Sequence, residues 1–140
     1  MRVDPSIFKA YDIRGTYPDQ LDEGLAHALG RAFVTYLNPE RVVVGRDMRL
    51  SGPPLHAELI QGLCEQGVGV LDLGQVSTDQ YYYACATHDL PGLMVTASHN
   101  PPHYNGFKMV RRMPYLLSGD DGIEDLQRII EAESYGSTSK

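Results

Sequence analysis

Two kinds of hydrophobic pattern alternate along this chain of 140 residues, and the alternation restricts its fold more than any other feature. Short apolar runs suited to strands lie at 41–45, 68–73, 93–96 and around 107–110. Between them, apolar residues recur at the three- and four-residue spacing of helices. Strands that alternate with helices predict an α/β fold. We expect a three-layer α/β/α sandwich with a mostly parallel, mixed sheet of about four strands.

The helical stretches carry start and stop signals. Asn38-Pro39 ends the first helix, Ser51-Gly52-Pro53 opens the second, and Gly67 is a plausible C-cap for it. The four helices are predicted at about 22–37, from 51 to 67, from Thr78 through Ala86, and from about residue 120 onward. One domain is predicted over residues 1–135, and the small polar residues 136–140 read as a linker or frayed tail.

Charge and composition exclude several classes of protein. The formal net charge of −6 argues against a non-specific nucleic-acid binder, which is normally basic. Apolar runs are too short to cross a membrane, and the N-terminus lacks an apolar signal region, so we expect neither membrane insertion nor export. Cys64 and Cys85 form no CxxC pair, which excludes a disulfide scaffold and a zinc ribbon. We expect both to be reduced and buried in a cytoplasmic protein.

The segment 96–108 holds the densest collection of chemical groups, directly after a predicted buried strand. Ligands of such sheets bind where parallel strands end, so this loop and the one after Val44 are the places to search. Ser98 follows the small Ala97, so its hydroxyl could be exposed and accept a group covalently. Lys108 could return to the same site as a positive charge for an anion. On composition alone, an ordinary polar surface loop is an equal alternative.

Two other chemistries find less support in this segment. A zinc site built on His99 and His103 lacks a nearby cysteine or acidic ligand. Serine hydrolysis is also disfavoured, because Ser98 is not part of a G-x-S-x-G turn.

Two further segments could contribute cations. Arg14 precedes Gly15, which would let a phosphate approach the guanidinium closely, although an edge strand with a surface ion pair is the commoner outcome. The stretch 44–52 leaves a strand and enters a helix, as anion-binding loops do, but it is not a P-loop. A structural role for Arg46 and Asp47 is an equal alternative there. If the fold joins these segments, Arg14, Arg46 and Lys108 form a positive site on an acidic chain.

Taken together, the three segments resemble a known family. Thr96-Ala97-Ser98-His99-Asn100-Pro101, followed by Tyr104-Asn105-Gly106-Phe107-Lys108, resembles the phosphoserine loop of the α-D-phosphohexomutases, the phosphoglucomutase and phosphomannomutase enzymes. Ala10–Gly15 resembles their N-terminal signature, and Val44–Gly52 resembles a third stretch in the same order. The resemblance extends from about Ser6 to Glu133 and concerns the first of four domains.

The resemblance implies a phosphoryl transfer between protein and sugar. Ser98 would carry the phosphoryl group and exchange it with a hexose 1- or 6-phosphate, through a hexose 1,6-bisphosphate that serves as intermediate and activator. The resemblance assigns catalysis to Ser98, Lys108, Arg14 and His99, and substrate binding to Tyr11, Arg14, Asn100 and Lys108. Arg14 and Lys108 would surround the transferred group with fixed cations, which is what phosphoryl transfer chiefly needs.

The resemblance also implies partners that this sequence does not contain. Mg²⁺ would bind an oxygen of the Ser98 phosphoryl group, with its other ligands in the second domain, and the sugar loop would lie in the third. We therefore expect an intramolecular phosphotransferase that works with the remaining domains, and an isolated chain without activity. A non-catalytic phosphosugar-binding module is the alternative, and a plain interaction domain is a more distant one.

Overall fold

A computed structural model of the chain describes residues 1–136. Its helices are α1 (Glu23–Leu37), α2 (Gly52–Glu65), α3 (Thr78–His88) and α4 (Ile123–Ala132). Its strands are β1 (Asp12–Thr16), β2 (Arg41–Arg46), β3 (Gly69–Gln75), β4 (Gly92–Val95), β5 (Tyr104–Arg112) and β6 (Tyr115–Leu116). A short 3-10 helix, Pro5–Ile7, precedes β1. Of the predicted tail 136–140, only Gly136 lies within the described residues.

The strands form one mixed sheet in the order β1-β5-β4-β2-β3, and β6 pairs with the far half of β5. Strands β2, β3 and β4 are parallel, whereas β5 is antiparallel to both β4 and β1. The α/β class and the mostly parallel, mixed sheet are confirmed. The predicted count of about four strands is too low, because it includes neither β6 nor β1, which the sequence offered only as the edge-strand alternative for the Arg14 segment. Polar Asp12 and Arg14 alternate along β1, and β6 is only two residues long.

Helices cover both faces of the sheet, which confirms the three-layer sandwich. The larger core lies between the sheet and α1, α2 and α4, and the smaller one lies between the sheet and α3. Because successive strand residues point to opposite faces, Val42 and Val44 of β2 enter the larger core while Val43 enters the smaller. Both faces of β2 and β4 are buried, which explains their continuous apolar runs.

Local signals explain most of the element ends. The Asp22 carboxylate accepts a hydrogen bond from the Leu25 amide at the start of α1, and Asn38 ends that helix with a φ of 50°. Helix α2 ends at Glu65, and Gly67 follows it in the left-handed conformation. Strand β5 begins at Tyr104, earlier than the 107 predicted, so the polar loop before it is shorter. Helix α4 begins at Ile123, later than the 120 predicted.

The two cysteines differ in their surroundings. Cys85 is buried in the smaller core, as expected, but Cys64 is exposed, so the prediction that both are buried is wrong for Cys64. Cys64 follows the buried Leu63 on α2, and one step along a helix turns a side chain towards solvent. Both thiols are free. Within residues 1–136, no helix combines the length and the apolar character needed to span a bilayer.

Candidate active site

The loops that follow β2 and β4 meet at one edge of the sheet. The backbone amide of Asp47, just after β2, donates to the carbonyl of Val95 at the end of β4. Residues 96–103 join β4 to its antiparallel neighbour β5, so the loop returns to the edge that it left. The amide of Thr96 donates to the carbonyl of Gly106 and closes the base of this loop. We call residues 96–103 the serine loop.

Ser98 stands exposed in the serine loop with an unusual backbone. Its φ is 56°, in the left-handed region that residues other than glycine seldom adopt. Its amide donates to Oγ1 of Thr96 at 3.0 Å, and that hydroxyl donates to Oδ2 of Asp47 at 2.7 Å. The Ser98 hydroxyl itself makes no hydrogen bond with residues 1–136. The backbone of Ser98 is therefore tethered while its reactive group is free.

Arg49 binds the backbone of the serine loop; the sequence placed it in the 44–52 stretch that resembles the family but gave it no role of its own. Only 9% of the residue is exposed. Its guanidinium donates to four backbone carbonyls of the loop and of the first residue of β5: Ser98 at 2.9 Å, Asn100 at 2.7 Å, Pro101 at 2.7 Å and Tyr104 at 3.0 Å. Its Nε lies 3.4 Å from Oδ2 of Asp47. This segment therefore supports the loop, which is the structural alternative to anion binding.

A second buried group ties the far end of the loop to α2. Asn105 is fully buried, and its Nδ2 donates to Oγ of Ser51, the residue that precedes α2, at 2.7 Å. The next residue, Gly106, leaves no room for a side chain, because a Cβ there would collide with the carbonyl of Ile13 on β1. Asn105 and Gly106 both belong to the Tyr104–Lys108 motif, but nothing in the motif indicated which residues they contact.

Lys108 stands between two clefts on the α3 side of the sheet. The larger cleft, of about 670 Å³, is lined by Ser98, His99 and Lys108 together with polar residues at the start of α3. The smaller, of about 250 Å³, is lined by Tyr11, Arg14 and Lys108. The Lys108 ammonium makes no hydrogen bond or ion pair with residues 1–136. It is thus an uncompensated charge that borders both clefts.

Tyr81 helps to fix the strand that carries Lys108. Its hydroxyl donates to the Lys108 carbonyl at 3.1 Å. Burial raises the pKa of Tyr81 well above its usual value, so the phenol remains a hydrogen-bond donor at any physiological pH.

Arg14 connects β1 to the serine loop. Its guanidinium donates to Oδ1 of Asn100 at 3.0 Å and lies 3.9 Å from a carboxylate oxygen of Asp12. Tyr11, which is 72% exposed, stands on the same side of the smaller cleft. The structure therefore brings all six sequence-predicted site residues to one region: Ser98, His99, Asn100, Lys108, Arg14 and Tyr11.

Two other groupings considered from the sequence do not form. Arg46 lines neither cleft, because its side chain packs against the start of α2, where a Cβ on Gly52 would lie 3.4 Å from its Cδ. The cation cluster thus consists of Arg14 and Lys108 without Arg46. His99 and His103 line different pockets. No group of three or more His, Cys, Asp or Glu side chains within residues 1–136 is arranged to hold a metal, so the zinc alternative has no support.

Comparison with known proteins defines the class. Residues 5–136 match the family model described as phosphoglucomutase/phosphomannomutase, alpha/beta/alpha domain I. This chain belongs to the phosphoglucomutase/phosphomannomutase family and corresponds to its domain I. A phosphomannomutase of Klebsiella pneumoniae is 43% identical over 129 residues, which cover 91% of this chain and 82% of that protein.

Longer relatives show how much of such a protein the chain represents. A phosphomannomutase of Salmonella typhimurium is 46% identical over 129 residues, yet the match covers only 28% of its length. A solved structure of a phosphoglucomutase/phosphomannomutase family protein from Burkholderia thailandensis superposes with a TM-score of 0.87 at 38% identity. That superposition covers 97% of this chain and 32% of the Burkholderia chain. The chain thus spans about a third of these longer relatives or less.

Proposed function

We propose that this chain is the phosphoserine domain of a mutase that interconverts hexose 1-phosphate and hexose 6-phosphate, with glucose or mannose as the sugar. The observation that carries the proposal is the exposed Ser98 hydroxyl, on a tethered backbone and above a cleft that it shares with the uncompensated Lys108 ammonium. Membership of the family supports the same reaction class.

In the proposed reaction, Ser98 carries a phosphoryl group. The sugar hydroxyl oxygen forms a bond to phosphorus as the bond from phosphorus to Ser98 Oγ breaks. The proton of the sugar hydroxyl leaves that oxygen, and Ser98 Oγ takes up a proton. The resulting hexose 1,6-bisphosphate returns its other phosphoryl group to Ser98 by the reverse step, so the net change is isomerisation.

The cations of the site stabilise the charge on the moving group. Arg14 and Lys108 both line the smaller cleft, and Lys108 and Ser98 both line the larger one. Preorganised charges of this kind contribute most while the phosphoryl group is in transit. We propose that His99 assists the proton transfer at the cleft, that Asn100 orients Arg14, and that Tyr11 contacts the sugar.

A metal ion is part of the proposal. Oxygen atoms of a phosphoryl group on Ser98 are the hard ligands that Mg²⁺ prefers, and the bound ion would neutralise negative charge. Because residues 1–136 hold no cluster of three or more ligand side chains, we infer that the remaining ligands come from other domains. Turnover would then need those domains, and the isolated chain would be inactive. The free thiols suit a reducing compartment, so we propose that the enzyme works in the cytoplasm.

The proposal expects a multidomain protein, and the test compares two serine variants in it. Ser98→Ala is expected to abolish isomerisation and phosphate incorporation, whereas Ser134→Ala, at an exposed position beyond α4, leaves both unchanged. Lys108→Ala and Arg14→Ala should each lower kcat by roughly 10²-fold. Titration calorimetry with glucose 1-phosphate follows binding separately. Near-normal turnover of Ser98→Ala would refute the mechanism, and binding without phosphorylation of wild-type protein would favour a non-catalytic phosphosugar-binding module.

A further inference from the structure

Hydrogen bonds connect both the backbone carbonyl and the backbone amide of Ser98 to one pair of charged residues, Arg49 and Asp47. Its carbonyl accepts a hydrogen bond from the Arg49 guanidinium, and its amide reaches Asp47 through the Thr96 hydroxyl. Asp47 also accepts a hydrogen bond from the Arg49 amide at 3.1 Å. Arg49, Asp47 and Thr96 thus form a clamp on both sides of the Ser98 α-carbon.

The clamp occupies both terminal nitrogens of Arg49. The two terminal nitrogens of the guanidinium carry four N–H groups, and the four loop carbonyls accept from them. The fifth N–H, on Nε, is buried and lies 3.4 Å from Oδ2 of Asp47, and Arg49 lines neither of the two clefts that Lys108 borders. Arg49 therefore acts on the chemistry only through the serine loop, unlike Lys108 and Arg14, which face the clefts.

We infer that Arg49 is a positioning residue that aims the Ser98 hydroxyl by holding its backbone in the left-handed conformation. This inference rests on the proposed function for its catalytic meaning, but the clamp itself can be tested without any substrate. A lysine would keep the positive charge, yet its single ammonium cannot reproduce a planar fork that serves four carbonyls. Loss of the fork would remove the side-chain donor that the carbonyls of Ser98 and Asn100 share, and free the loop to relax.

The experiment places Arg49→Lys in the multidomain protein, with Arg41→Lys as its matched control. Arg41 is exposed at the opposite end of β2 and has no part in the clamp. We expect Arg49→Lys to lower kcat by roughly 10²-fold, because misplacing a reacting group by about 1 Å costs that much, while KM stays within about twofold. Arg41→Lys should leave both constants at wild-type values. Wild-type kcat in Arg49→Lys, or a loss confined to KM, would overturn the inference.

Amide hydrogen exchange supplies a readout that does not depend on turnover. The amides of Ser98, Asn100 and Tyr104 are hydrogen-bonded within the loop region, so they report on its order. Arg49→Lys should accelerate exchange in peptides covering 97–105 and leave those covering α1 and β2 unchanged. Unchanged exchange at 97–105 would overturn the clamp. If wild-type Ser98 is never phosphorylated, the mutase proposal fails, while the exchange result still decides the clamp.

A second variant keeps the inference testable should Arg49→Lys unfold the whole domain. Asp47→Asn preserves the shape of the side chain but removes the charge beside Arg49 Nε and the acceptor strength towards Thr96. It should accelerate exchange in the same peptides and lower kcat more than it raises KM. Wild-type kcat together with wild-type exchange in Asp47→Asn would overturn the inference.

Discussion

Replacement of Ser98 by glycine should stabilise the domain while it destroys the proposed chemistry. The φ of 56° costs a residue with a Cβ about 1–2 kcal/mol, and glycine avoids this cost. The unfolded chain has more conformational freedom with glycine than with alanine, and this difference lowers the free energy of unfolding of the glycine variant by about 0.5–1 kcal/mol. Because the Ser98 hydroxyl makes no hydrogen bond with residues 1–136, its removal adds little. We expect Ser98→Gly to exceed Ser98→Ala in stability by about 0.5–1 kcal/mol.

Urea unfolding measures this difference directly. With an m-value of about 2 kcal/mol/M, the midpoint of Ser98→Gly should lie about 0.25–0.5 M above that of Ser98→Ala. Ser134 provides the matched control, because it is exposed and is absent from the residues with positive φ. There the order should reverse, with the alanine variant more stable than the glycine variant. Equal midpoints for the two Ser98 variants would refute the argument that the clamp imposes a costly backbone.

Three further predictions follow from other parts of the fold. Gly106→Ala should lower the free energy of unfolding by about 3 kcal/mol in urea, because its Cβ would collide with backbone, whereas Gly119→Ala, whose nearest neighbour lies at 3.8 Å, should change it by no more than about 0.5 kcal/mol. Burial raises the pKa of Asp72, but hydrogen bonds from Gly74 and His56 outweigh it and hold that pKa below its usual value. A depressed carboxyl pKa stabilises the fold above about pH 4 and ceases to do so as pH falls through it, so the stability lost in Asp72→Asn should shrink between pH 7 and pH 3. Burial raises the pKa of Cys85 to about 12, so a thiol reagent at pH 7.5 should modify Cys64 alone in folded protein and both cysteines in urea.

The parts of the fold that the sequence could predict are those whose signal is local. Strands β2 and β4 are buried on both faces, and continuous apolar runs reveal such strands. Ser98 could be found because its loop directly follows the apolar run of β4, and Lys108 because it lies in the next strand, β5. Strand β1 is predicted only as an alternative for the Arg14 segment, since it is held by pairing with β5, which lies almost a hundred residues further along the chain.

The role of Arg49 could not be predicted for a more specific reason. Along 48–50 the usual relation between hydropathy and burial is inverted. Met48 is 72% exposed and Leu50 is 98% exposed, while the charged Arg49 between them is buried. Burial of this guanidinium is favourable only because four carbonyls that follow it by about fifty residues converge on it, and no pattern within one segment contains that information.

The contacts of the active site join residues at very different distances along the chain, and this difference determines the order in which the site forms during folding. Ser98 lies in the loop of the β4–β5 hairpin and Lys108 on its second strand, and closure of such a hairpin is local and fast. The Arg49 bonds join residues 49 to 55 positions apart, and they require β2 to have entered the sheet between β3 and β4. A newly made chain would therefore assemble serine and lysine before it can fix the serine backbone. An ordered serine loop thus indicates that β2 has taken its place in the sheet.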